Sequence, residues 1–374
     1  MTVLVIVIGA ILINYLTEII YSKYWDKDLD AIVEFQREPV YEGDEAILTE
    51  TVVNNKRLFL TVLSVGFQIH RNLIFSDGEN ASISDLSYKR DIFSVGGYQK
   101  ITRKISFFCS RRGYYELDKI ELVCRDPLLT GKYYMTLEHP DFFYVFPGMV
   151  EHNRLEIPFQ KVMGSVIAKK NLYEDPFEFR GIREYQLTDP MNRINWKASA
   201  RSDQWMVNLF DSTTAQEVRI ILDLEEETLL KYNDIHEEAI RVAAALMEKC
   251  IVNGIPAGLM TNGRDVKTGE LISMAPGTGP QQVVEMKKEL SRIDLDQTAE
   301  RMLPLLEQER ASMEKTSCTY VVIAKNQQMS KFEKMQELAY QGAGVIWIST
   351  LYDDMEWTLP KNGIIQTMYW EVPK

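Results

Sequence analysis

The stretch "ILDLEEET", ending at Thr228, sets Asp223, Glu225 and Glu227 on alternate positions. Carboxylates so spaced at the end of an apolar run could supply oxygen ligands to a hard divalent cation, Mg²⁺ or Ca²⁺. Metal-dependent hydrolysis or phosphotransfer is the chemistry that would follow. The structural alternative is an acidic loop ahead of a helix, complementing the positive end of the helix dipole. With no hydroxyl among residues 224–227 the three carboxylates make a crude cage, and the structural reading is preferred.

A second stretch, "RGIREYQLTDPMNRINWKASAR" from Arg180 to Arg201, carries five cations and two anions in a chain of net charge −12. Asp189-Pro190 reads as a helix start, with Asp as N-cap and Pro in the first turn. A helix from there to about Arg201 would put Arg193, Lys197 and Arg201 on one stripe, with Trp196 and Ala200 on the next. Upstream, a short extended segment would place Arg180 and Arg183 near Glu184. Such a surface could bind phosphate, a lipid headgroup or an acidic partner face. It could equally clasp two domains, the guanidiniums pairing with Glu184, Asp189 and Asp211 while Trp196 fills the seam. The clasp is the preferred reading.

Other chemistry-bearing patterns are missing. "APGTGPQQ" has two glycines but no following Lys-Ser or Lys-Thr, and "QGAGVIW" puts its glycines before a strand, so neither is a phosphate loop or a dinucleotide fingerprint. There is no GxSxG and no HExxH. Four scattered histidines show no ligand spacing, and four cysteines form no CxxC pair and read as buried thiols. The expectation is a non-enzymatic protein without a cofactor. The acidic balance argues against general nucleic-acid binding.

The elements that would position these residues follow from periodicity. "MTVLVIVIGAILINYLTEIIY" would span about 31 Å as a helix, close to a bilayer core, with Tyr24 and Trp25 after it as interfacial aromatics. It reads as a single transmembrane anchor over residues 1–25. Lys23 and Lys27 would put the C-terminal bulk in the cytosol by the positive-inside rule. Residues 28–150 alternate in period two between Gly, Asn and Asp clusters, the signature of an antiparallel β-sandwich. Residues 151–203 read as a linker and the basic segment. From 204 to 374, buried-strand runs such as "EVRIILDL" alternate with amphipathic helices such as "DIHEEAIRVAAALMEKCIVNG", implying a doubly wound α/β domain.

"FRGIREYQLTDPMNRINWKASAR" resembles the signature of the DUF58 family, in which an R-x-Y segment and an Asp precede an Arg, an I-x-W and a closing A-R, here R-I-x-W-x-x-x-A-R. On this sequence the matching positions are Arg183, Tyr185, Asp189, Arg193, Trp196 and Arg201. The block "RRGYYEL…RDPLL", Arg111 to Leu129, also fits. The resemblance implies N-terminal membrane helices, a β-domain and a von Willebrand factor A-like α/β domain. It further implies work beside MoxR-type AAA+ ATPases and other von Willebrand A-domain proteins, in assembly or maturation of protein complexes. The ion site of such domains begins D-x-S-x-S. Asp223 matches its Asp, but Glu225 and Glu227 stand where the serines should be, and Lys325-Asn326 replaces a later "TDG"-like element. The family's Gly-Asp is Thr188-Asp189 here, and one anchor is expected where many relatives have two.

The expected function is therefore a membrane-anchored adaptor in the cell membrane, single-pass, acting with an AAA+ ATPase. The alternatives are a metal-dependent enzyme using Asp223, Glu225 and Glu227, and an exported surface-binding protein.

Overall fold

The structure is a computed structural model, and it describes residues 2–75, 86–172, 179–186, 189, 191–210, 216–228, 230–312, 318–360 and 363–373. The chain divides into two compact units, Met1–Gly148 and Met149–Lys374.

The first unit opens with helix α1 (Thr2–Tyr24), followed by β1 (Leu29–Phe35), β2 (Val40–Tyr41), β3 (Glu45–Asn54), β4 (Leu60–His70), β5 (Leu73–Phe75), β6 (Leu86–Val95), β7 (Gln99–Cys109), β8 (Gly113–Arg125) and β9 (Lys132–Phe146). One sheet runs β1-β3-β7-β5, the other β2-β9-β8-β4-β6. Alternation drives the assembly: β1 buries Leu29, Ala31, Val33 and Phe35 and turns the residues between them outward. Inner residues of both sheets form one apolar cluster. Phe35 of β1 stacks on Phe143 of β9 with ring centroids 5.3 Å apart.

Helix α1 is long and apolar enough to cross a membrane over Val3–Tyr24, by length and composition, a test that a signal sequence also passes. Its last turn has a second role. Tyr21 and Trp25 are buried in the β unit's core, and the Tyr21 hydroxyl donates to the Phe59 carbonyl at 2.5 Å. Trp25, expected as an interfacial aromatic, packs instead against Tyr133 at 6.2 Å. Its indole leaves water by joining the sheet, not by entering lipid. Trp25→Ala should therefore destabilise the β unit by about 3 kcal/mol. Hydrogen exchange of the β8 and β9 amides checks this, and unchanged protection would refute it.

The second unit contains α2 (His152–Leu172), β10 (Phe179–Glu184), α3 (Trp196–Ser202), β11 (Met206–Phe210), β12 (Glu217–Asp223), α4 (Asn233–Val252), β13 (Ala257–Asp265), β14 (Leu271–Gly277), α5 (Pro280–Ser291), β15 (Ile293–Asp294), α6 (Met302–Ser312), β16 (Cys318–Ala324), α7 (Met329–Tyr340), β17 (Gly344–Leu351) and β18 (Gln366–Glu371). The main sheet runs β14-β13-β12-β16-β17-β18. β12 pairs in parallel with β13 and with β16, while β14 is an antiparallel edge strand. β10 and β11 form a separate antiparallel pair.

The linker expected from residue 151 needs correction. Residues 152–172 are helix α2, and Leu155, Phe159, Val162 and Val166 enter the α/β core. Those positions follow helical spacing. Pro158 inside the helix masks it, because proline removes a backbone donor and ordinarily ends a helix. The four cysteines are free and buried.

Candidate functional site

β12 buries Val218 and everything from Ile220 to Asp223, because parallel neighbours and helices cover it, while Glu217 and Arg219 stay partly exposed. It ends at Asp223. The chain leaves through α4 to β13 on one side and later returns to β16 on the other. Connections that diverge from adjacent strands leave a crevice at the strands' C-terminal ends, where α/β sheets bind ligands.

An ammonium group lies in that crevice. Lys331 of α7 sits 2.6 Å from Asp223 Oδ2 and 2.8 Å from Glu225 Oε2, with Lys331 and Asp223 each 1 % exposed. Asn262 of β13 donates to Asp223 Oδ1 at 2.8 Å and accepts from the Leu224 amide at 2.8 Å. The Glu225 amide donates to Asp223 Oδ1 at 3.0 Å. Glu225 Oε2 also accepts from the Met302 amide at 3.0 Å. Burial raises the Asp223 carboxyl, and the Lys331 ammonium opposes it. For Glu225 burial pushes upward too, but the hydrogen bonds from Lys331 and Met302 outweigh it and the net direction is down. The hub thus ties β12, β13, α6 and α7 together through one cation.

A second hub lies beside it. Glu226 accepts from His236 Nε2 at 2.9 Å and from the Tyr232 amide at 2.7 Å, and its other oxygen pairs with Lys325. Burial works against its charge, yet these donors hold its carboxyl at about 2. Next to Glu226 opens a cavity of about 530 Å³ lined by Leu224, Glu227, Lys231, Asn233, His236, Asp294 and Leu295, among others. That volume falls in the range of binding pockets.

Of the three expected carboxylates, the fold brings Asp223 and Glu225 to one cation. It leaves Glu227 exposed on the cavity wall. The triple cage is therefore corrected: alternate positions after a strand diverge once the chain turns. Among the described residues no group of three His, Cys, Asp or Glu is arranged to hold a metal ion. Lys331, Asn262, Glu226 and His236 escaped the sequence reading as site residues, and Lys325 was marked there only as a departure from the family's pattern. Asn262 lies in the polar half of β13, among Thr261, Gly263, Arg264 and Asp265, so nothing local set it apart.

The basic segment also differs from expectation. Asp189 does not cap a helix. Its carboxylate takes both terminal nitrogens of Arg183 at 2.6 Å each and the Gln186 amide at 2.8 Å. The Arg183 hydrogen bond, then that of Gln186, holds Asp189 below the usual carboxylate range. Asn195 is the N-cap of α3, its side chain accepting from the Ala198 amide at 2.9 Å. Arg193 lies before it in a 3-10 turn, Met191–Arg193, so it does not share a helical stripe with Lys197 and Arg201. Tyr185 meets Trp205 edge-on at 5.5 Å. Trp196 fills no seam, being 67 % exposed. Pro190, Asp211 and the Arg180 side chain lie outside the described residues.

The sequence profile of a family described as "Protein of unknown function DUF58" matches residues 181–370, half of the chain. The chain is 29% identical over 84 residues to the uncharacterized protein YeaD of Bacillus subtilis (strain 168), a match covering 22% of this chain and 20% of that protein. Among solved structures, the C-terminal domain of wzt is 13% identical, with 33% of this chain and 75% of that chain covered and a TM-score of 0.24. The sporulation control protein Spo0M of Bacillus subtilis is 14% identical, with 42% and 58% covered and a TM-score of 0.20. Scores at that level carry no argument about fold or function.

Proposed function

The chain belongs to the DUF58 family, and on that footing we propose that it works by binding and not by catalysis, as a membrane-tethered adaptor. α1 is the anchor, single-pass in the cell membrane, with the bulk of the chain in the cytosol. The α/β unit is von Willebrand factor A-like, and its strand-end face, with the cavity beside Glu226, receives a protein partner. The partner is a MoxR-type AAA+ ATPase, and the work is assembly or maturation of protein complexes.

One observation carries this reading. Where a cation-dependent site would place its metal, the Lys331 ammonium lies between Asp223 and Glu225. A tethered cation supplies charge without an open coordination position, so it can hold a surface in shape but offers a substrate no position to ligate. Glu227 on the cavity wall is exposed, forms no ion pair among the described residues and is available to basic groups of a partner; Asp294 beside it adds negative charge while accepting from the Asp296 amide and the Gln297 side chain.

The test uses the full chain in detergent. It should capture a MoxR-type ATPase from the same organism, and Glu227→Lys with Asp294→Lys should abolish capture. Its thermal transition should not move with millimolar Mg²⁺ or Ca²⁺, since a ligand that binds only the folded state would raise it. A metal-induced rise of several degrees, or failure of a folded chain to capture the ATPase, sinks the reading.

A further inference from the structure

We propose that the outer face of α3, with the turn that enters β11, is a second docking surface, and that its occupant is a short acidic segment carrying an apolar side chain. The proposal rests on the juxtaposition of exposed Trp196 and Trp205 with Lys197 and Arg201.

Helix α3 buries none of its residues. Hydrogen bonds fasten its inner side: Asn195 Nδ2 donates to Asn208 Oδ1 at 2.7 Å, and the Met206 amide donates to Ser199 Oγ at 2.8 Å. Polar anchoring inward leaves the apolar residues outward. Trp196 is 67 % exposed and Trp205 51 %. The Asn195 amide donates to the Met206 carbonyl at 2.7 Å, so Trp196 and Trp205 each adjoin one residue of a hydrogen-bonded backbone pair. Exposed Met191 lies just upstream. Trp205 meets Tyr185 edge-on while Trp196 is left to solvent, and exposed apolar side chains grouped on one surface mark an interaction site.

The charge around them selects the occupant. Lys197 and Arg201 are one helical turn apart and exposed, and neither meets a carboxylate among the described residues. Asp203, two residues beyond Arg201, forms no ion pair with either. Tryptophan beside arginine is the composition of binding hot spots. A bilayer or a nucleic acid also offers negative charge, but both are broad. A net charge of −12 on the chain as a whole disfavours contact with a broad polyanion. A short acidic segment meets only the local cations, and its apolar side chain can cover the indoles.

The probe is a short fluorescein-labelled peptide of alternating Glu and Leu, titrated by anisotropy against the full chain in detergent. We expect saturable binding that weakens with salt, and none for the Gln-Leu counterpart. Trp196→Ala with Trp205→Ala should weaken binding at least about tenfold, and Arg201→Glu should abolish it; Trp196→Ala alone should weaken it with the thermal transition unchanged, because that side chain is 67 % exposed. Glu227→Lys should leave binding intact, which separates this surface from the strand-end face. Equal binding by wild type and the double tryptophan variant overturns the proposal. So does equal binding of the Gln-Leu peptide, or engagement of the same residues by phosphatidylserine nanodiscs or an oligonucleotide in place of the peptide.

Discussion

Lys331→Met is expected to lower the stability of the α/β unit by about 3–5 kcal/mol, the usual effect of removing one partner from a buried ion pair. The methylene stem can be replaced almost in shape, so the loss reports the charge. Without the ammonium, Asp223 at 1 % exposure and Glu225 face each other with Asn262 and backbone amides as their remaining donors. The variant's Asp223 carboxyl is then raised further in the folded state. A carboxyl raised on folding loses stability as pH rises above its unfolded value, so the defect should be smallest near pH 4 and grow toward neutrality. Adding Asp223→Asn should recover much of the loss, since a neutral pair of similar shape removes the buried charge. Denaturation followed by tryptophan fluorescence reads the loss, with Trp347 among the reporters because its ring lies 5.8 Å from Phe332, the neighbour of Lys331. An unchanged midpoint would show that the hub holds nothing.

Glu50→Gln should act in the opposite direction in the β unit. Glu50 lies on β3 and is fully buried. Neither carboxylate oxygen has a hydrogen-bond partner. Burial, and then Asp91, push its carboxyl up to about 8, while Arg103 and Lys89 pull the other way. Asp91 Oδ2 also lacks a hydrogen-bond partner, and a proton on Glu50 could be donated toward Asp91. Between roughly pH 4.5 and 8 the folded chain thus holds a proton that the unfolded chain has released. Stability is full below the unfolded value, falls by about 1.4 kcal/mol per pH unit through that window, and levels off above pH 8. Glutamine stays neutral, so the variant should lose this slope and be more stable than wild type by several kcal/mol at pH 8. Hydrogen exchange of the β3 amides at pH 5, 7 and 8.5, corrected for intrinsic rates, checks both statements. Parallel slopes for the two proteins would refute the assignment.

These two sites show how far the chain could be read before folding. Strand β1 was legible as alternation, β12 as a continuous apolar run, and α4 as a face of Ile235, Ala239, Val242, Leu246 and Cys250, all of which are buried. The apolar α1 was legible by length alone. Helix α2 carried the same periodicity but was hidden behind Pro158. In the basic segment the cap was misread because both Asp189 and Asn195 are good N-cap residues. Arg183 and Gln186 occupy the first, which leaves the second to start α3.

Sequence by itself determined where apolar surface would be removed from water, because burial follows a short local period set by strand and helix geometry. It also located Asp223 at the end of a buried strand. Only the tertiary structure decided what stands opposite that carboxylate. Lys331 is 108 residues away on an amphipathic helix where it reads as any solvated lysine. A charge's partner is chosen by the packing of distant elements, and no local pattern records it. The same holds for Trp196, whose side chain a sequence would place in a core and which hydrogen bonding beneath α3 turns outward.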